Sequence, residues 1–163
     1  MSQKILSIIL ILTIFTGCQS GLSVFDKTGT AYEKGLQHTK VKPLIFEKDT
    51  KAIINITYLN TLNPTKWDNE NQNFLIGIYI PKNDNTKNKQ FLQNFEYKLT
   101  MNDSEYTASR LILDDETQYS IIPLKNPWAQ YYIISFKDID TKTLSLKYSH
   151  LQFGEVNLEF EKE

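Results

Sequence analysis

The chain has 163 residues, with 18 Lys and Arg against 19 Asp and Glu, a net charge of −1 and a single arginine, Arg110. Such a chain lacks the clustered cations that neutralise phosphates, so nucleic-acid binding is not expected. One cysteine, Cys18, leaves no intrachain disulfide, and with only two histidines no structural zinc site can be assembled.

Ile5 to Phe15 is apolar apart from Ser7 and Thr13, with Lys4 before it and Thr16, Gly17 and Cys18 after it. The run is about half of the ~20 residues needed to span a bilayer core. It falls within the roughly 7 to 15 residues of a signal-peptide core, so residues 1–17 are expected to sort the protein and to take no part in the fold. Phe15-Thr16-Gly17-Cys18 resembles the acylation site of bacterial lipoproteins. The resemblance implies a diacylglycerol on the Cys18 sulfur, cleavage just before Cys18 and, often, acylation of the new amine. Thr16 and Gly17 are small enough for a narrow protease site, whereas Phe15 departs from the usual aliphatic and implies slower cleavage. Two or three acyl chains would hold the protein on a membrane without spanning it. Gln19 and Ser20 follow the cysteine in place of an inner-membrane-retaining aspartate, so the resemblance points to the outer membrane, facing the periplasm.

Residues 18–42 read as a lipidated tether. Gly21, Gly29 and Gly35 interrupt the segment and apolar residues are sparse, so it cannot build a core. A flexible segment of this length reaches on the order of 25 Å. A short helix fits Thr30 to Leu36, with Thr30 as N-cap and Glu33 completing a capping box. His38, just beyond, is expected to be a solvated side chain.

From Pro43 the hydrophobic period becomes two, which is the period of strands. Leu44 to Phe46 is a short apolar piece, and Lys51 to Asn60 is a strand with Ile54, Ile56 and Tyr58 on one face. Asn63-Pro64 ends it. Phe74 to Ile80 follows, and then Phe95 to Met101, with Phe95, Tyr97, Leu99 and Met101 on one side. Asn102-Asp103-Ser104 turns the chain, and Tyr106 to Leu113 is expected to return as its hairpin partner. The last third alternates in the same way through Tyr132, Ile134 and Phe136, then Leu144, Leu146 and Tyr148, then, after Gly154, Val156, Leu158 and Phe160. The expected fold is all-β: one immunoglobulin-like β-sandwich of seven or eight strands over residues 43–163, preceded by the tether.

No catalytic set is apparent. Nucleophilic catalysis needs a hydroxyl or thiol beside a positioned base, yet the thiol is assigned to lipid, His38 lies in the tether and His150 in a turn. Asp114-Asp115-Glu116, Asp138 with Asp140, and Asp68 with Glu70 are carboxylate-rich turns without EF-hand spacing. No glycine-rich phosphate loop is present, and no cofactor or metal is expected.

Trp67 and Trp128, each with nearby amides, are candidates for a platform that stacks on sugar. Trp128, at the start of a strand, suits a core plug better; Trp67 suits both roles. Two strands break the rule that one face of a half-exposed strand is polar. Leu75 and Tyr79 oppose the core face of one, Tyr131 and Ile133 that of the other. If the strands share a sheet, these four residues form an apolar patch, which either meets a partner or is covered by Tyr32, Leu36, Leu44 or Phe46. The leading expectation is a non-enzymatic envelope lipoprotein that binds another envelope protein. The alternative is a carbohydrate- or peptidoglycan-binding module.

Overall fold

The computed structural model describes residues 33–67, 70–81, 95–112 and 125–162. They form nine strands: β1 (Thr39–Phe46), β2 (Asp49–Tyr58), β3 (Asn71–Tyr79), β4 (Tyr97–Met101), β5 (Ser104–Glu105), β6 (Ala108–Leu111), β7 (Gln130–Lys137), β8 (Thr143–His150) and β9 (Gly154–Glu161). Two antiparallel sheets result, ordered β1-β2-β3-β7-β6 and β5-β4-β8-β9. β2-β3-β7-β6 against β5-β4-β8-β9 is the ABED against C′CFG order of an immunoglobulin-like sandwich, with β1 as an added edge strand. Among the described residues no helix is long and apolar enough to cross a membrane.

The alternating residues explain the layering. Ile54, Ile56 and Tyr58 of β2, Phe74, Ile76 and Ile78 of β3, and Tyr132, Ile134 and Phe136 of β7 face Leu99, Met101, Leu144, Leu146, Tyr148, Leu158 and Phe160 of the other sheet in one buried cluster. Phe74 is its hub, with ring centroids 5.1 Å from Tyr58, 6.0 Å from Phe136 and 5.6 Å from Phe160. Such edge-on and tilted aromatic pairs add to the area they bury.

Three expectations need correction. The domain begins before Pro43, because β1 starts at Thr39. Lys40 and Lys42 share the inward side of β1 with Leu44. Lys40 Nζ donates to the Glu159 carbonyl and lies 5.3 Å from the Phe160 ring centre, and Lys42 Nζ donates to the Asn157 carbonyl at 2.7 Å. Long stems with their ammonium groups on β9 carbonyls make an edge strand look like a linker. Register places Pro43 where the backbone of β1 points away from β2, so its missing N–H breaks no ladder bond.

The second correction concerns Tyr106 to Leu113. Asn102 and Asp103, both at positive φ (46° and 64°), make the tight turn, but only Ser104 and Glu105 pair back with β4. The chain then crosses sheets, and β6 pairs with β7, where Thr107 N donates to Ser135 O at 2.8 Å. Third, among the described residues the helix covers 33–37, with Leu36 exposed rather than docked. Thr39 Oγ1 donates to the Gly35 carbonyl at 2.6 Å and closes that turn onto β1. Thr30 and Tyr32 lie outside the described residues, and His38 is half-buried rather than solvated.

Tyr148, at the centre of the core, stacks on Tyr97 with ring centroids 5.5 Å apart. Burial pushes the Tyr148 hydroxyl well above the ordinary tyrosine range, and it also raises Tyr131, whose shift is partly offset by the Asn126 N–H that its oxygen accepts. Unfolded tyrosines ionise near pH 10 whereas these two do not, so their stabilisation is complete below that pH and is lost as pH rises above it. Alkaline titration should therefore release the tyrosinate absorbance of Tyr148 only together with loss of β-sheet circular dichroism. Smooth ionisation of all tyrosines before unfolding would contradict this.

Candidate functional site

The two apolar strands do lie side by side, with Leu75 opposite Ile133 and Gly77 opposite Tyr131. Yet Leu75, Tyr131 and Ile133 are only 2%, 1% and 9% exposed, and Tyr79 is half-buried. They belong to a second cluster with Leu59 and Ile112, against which Leu62, Trp67 and Ala129 pack. Of the two alternatives for Leu75, Tyr79, Tyr131 and Ile133, the exposed partner face is thus corrected and the covered face is found. Its cover also differs from expectation: Leu44 belongs to the main core and Leu36 is exposed, while the β2–β3 connection and the segments flanking β6 and β7 supply the covering residues. Beside this cluster Asn73 Nδ2 donates to Asn60 Oδ1 at 3.3 Å, Asn60 Nδ2 donates to the Asn71 carbonyl at 2.8 Å, and Ser135 Oγ donates to Asn73 Oδ1 at 2.7 Å. The buried amides near Trp67 are therefore engaged in tying strands together.

Trp128 is not the core plug expected from sequence, and Trp67, which suited both roles, takes the packed one. Trp67 is half-buried in the second cluster, with Lys66 Nζ 5.2 Å from its ring centre, whereas Trp128 is 75% exposed. Trp67 follows the end of β2 and Trp128 precedes the start of β7. Trp67 packs into the second cluster while Trp128 stands in solvent, so the two rings do not form one exposed platform.

The pairing also decides what gathers at each end. β1 starts at one end, where β2 and β7 finish, and turns at Glu47-Lys48 at the other. The Phe46 and Phe153 rings are 5.5 Å apart, which puts the β8–β9 turn at the Glu47-Lys48 end, and Tyr97 pairs with His150, which puts the start of β4 there as well. This end, far from the start of β1, displays Ile45, Phe46, Phe95 (78% exposed), Trp128 and Leu151 (77% exposed). Among the described residues the only other exposed large apolar side chains are Leu36 and Val41. A groove of about 320 Å³ leads from Phe95 along β4 between Tyr97, Lys98, Leu99, Glu105 and Tyr106, with Lys98 Nζ 3.1 Å from Glu105 Oε1 at its rim. Single-residue reading missed this set, because Phe95 continues the alternation of β4 and Leu151 sits in a polar turn. Only the ends of the strands bring them together.

His150 is a buried residue at the end of β8 rather than a turn residue. Its ring stacks on Phe153 at 4.0 Å and meets the edge of Tyr97 at 4.4 Å. Nδ1 accepts the Gln152 and Phe153 main-chain N–H groups at 3.0 and 3.3 Å, and Nε2 lies 3.9 Å from Glu96 Oε2. With Nδ1 engaged by two main-chain donors and Nε2 facing Glu96, the ring is built into the β8–β9 turn.

At the opposite end Tyr58 Oη donates to Gln72 Oε1 at 2.5 Å, Gln72 Nε2 donates to Asp138 Oδ1 at 2.6 Å, and Lys162 Nζ meets the same oxygen at 2.5 Å. The Lys162 ammonium, helped by Gln72, holds the Asp138 carboxyl below the usual carboxylate range. Asp138 is thus committed to a strap on the C-terminal strand, and Asp140 is exposed beside it. Among the described residues no group of three His, Cys, Asp or Glu side chains could hold a metal ion. Cys18, Asp68 and residues 114–116 lie outside the described residues. No family model, curated protein or solved structure matches the chain.

Proposed function

We propose that the protein is a membrane-anchored envelope lipoprotein whose β-sandwich is non-enzymatic and binds another envelope protein through its far end. The observation that carries this reading is the segregation of exposed apolar side chains: Ile45, Phe46, Phe95, Trp128 and Leu151 stand at the end opposite the start of β1. A chain acylated at Cys18 reaches the domain through the residues before β1. The far end is then the part free to meet a partner. Clustered exposed apolar groups mark interaction sites, and aromatic anchors dominate the energetics of such interfaces.

Site-specific photocrosslinkers placed at Phe95 and Leu151 in intact cells test this, with Glu159 on β9 as the control position. The expected result is one discrete adduct from the first two positions and none from the third. Phe95→Glu together with Leu151→Glu should reduce recovery of that adduct protein at least about tenfold. The same pair should change stability by no more than about 0.5 kcal/mol per site, because both side chains are exposed. Undiminished recovery by the double variant would sink the proposal, and recovery of peptidoglycan fragments instead of protein would replace it with a sugar-binding role.

A further inference from the structure

We propose that His150 is an acid-operated latch on the β8–β9 turn, holding residues 151–153 closed while its imidazole is neutral and releasing them when it takes a proton. Nδ1 is the acceptor for two main-chain N–H groups, those of Gln152 and Phe153. In a neutral imidazole with Nδ1 as acceptor, the hydrogen sits on Nε2 and points towards Glu96 Oε2, 3.9 Å away. Protonation puts a hydrogen on Nδ1, turning the acceptor into a donor that faces two other donors. Both turn hydrogen bonds are then lost at once.

The surroundings favour release of the turn rather than of the imidazole. The charged and titratable groups near the ring include Glu96, just before β4, Tyr97 at its start, and Lys51 of β2, whose Nζ lies 5.3 Å from the centre of the Phe153 ring. Glu96 holds the imidazolium in place through Nε2. Lys51 lies against Phe153, the residue on the moving side. When residues 151–153 let go, Phe153 leaves its stack on His150 and its contact with Phe46, and Leu151 moves with it. The release therefore remodels the apolar far end. Its link to partner binding rests on the function proposed above; the latch itself does not.

The test is NMR on the full-length chain in detergent micelles between pH 7.5 and 5, a span that brackets the ordinary imidazole value of about 6.5. At pH 7.5 the His150 ring nitrogens should report an unprotonated Nδ1 and a protonated Nε2; the opposite tautomer overturns the proposal. On acidification the Gln152 and Phe153 amide protons should shift upfield together and gain saturation transfer from water, while the Leu146 and Leu158 amides of the paired strands stay put. His150→Asn keeps an acceptor oxygen two and three residues before the Gln152 and Phe153 amides but cannot be protonated, so those two amides should no longer respond to pH. An unchanged turn in the wild-type chain down to pH 5, or the same acid response in His150→Asn, overturns the latch. Loss of partner crosslinking with an intact latch would count against the far-end function alone.

Discussion

Replacing Cys18 by alanine should abolish lipid attachment entirely rather than weaken it. The expectation follows from how acyl chains bind: at about 0.8 kcal/mol per buried methylene, one chain holds a protein marginally and two or three hold it for practical purposes. Every chain in the proposed anchor depends on the Cys18 thiol. The first is attached to its sulfur, and cleavage that creates the acylatable amine follows that step. No other cysteine in the sequence can substitute. The Cys18→Ala chain should accumulate as an uncleaved or mislocalised precursor and take up no palmitate analogue. Equal labelling of wild-type and Cys18→Ala chains would show that the lipid anchor is wrong, without bearing on the sandwich.

Gly77→Ala should cost about 1 to 3 kcal/mol, a drop of several degrees or more in melting temperature, for the addition of one methyl group. An ideal Cβ at Gly77 would lie 2.3 Å from Tyr131 Cε1 and 2.8 Å from Cδ1. The ring has nowhere to go, because Tyr131 is buried beside Leu59, Leu75 and Ile133, and its hydroxyl accepts the Asn126 N–H at 2.7 Å. Glycine is present here because an aromatic ring on the neighbouring strand lies flat over its Cα. A double-mutant cycle separates this clash from a general intolerance of β3. Tyr131→Ala alone should cost roughly 3 kcal/mol or more as a large-to-small change, but Gly77→Ala on that background should be nearly neutral, giving a coupling on the order of 2 kcal/mol. An equal cost for Gly77→Ala in both backgrounds would show that the ring is not the obstacle.

Both poles of the sandwich depend on side chains whose partners are remote in sequence, and this limits how far each could be read in advance. Asp138 looks like half of a carboxylate turn until Lys162 and Gln72 arrive from 24 and 66 positions away. The β1–β2 turn was equally hidden. Glu47 and Lys48 adopt positive φ (51° and 72°) in a tight hairpin without the Asn or Gly that usually signals one. With the turn unmarked and Lys40 and Lys42 reading as linker, an eight-residue edge strand was reduced to three apolar residues.

The sequence by itself determined the class of fold and the composition of the core. Alternation over β2, β8 and β9 can bury its apolar side in only one way, because shifting a strand by one residue would turn that whole side to water. In β3 and β7 the residues between the core positions showed that both faces are apolar. What covers the second face, which tryptophan is buried and which aromatic side chains meet at the far end were decided only by the tertiary structure. The period of a strand says which residues share a face. It carries no information about which distant connection folds back over that face, or which strand ends lie together, because those depend on the order of strands within the sheets and on the crossings between them.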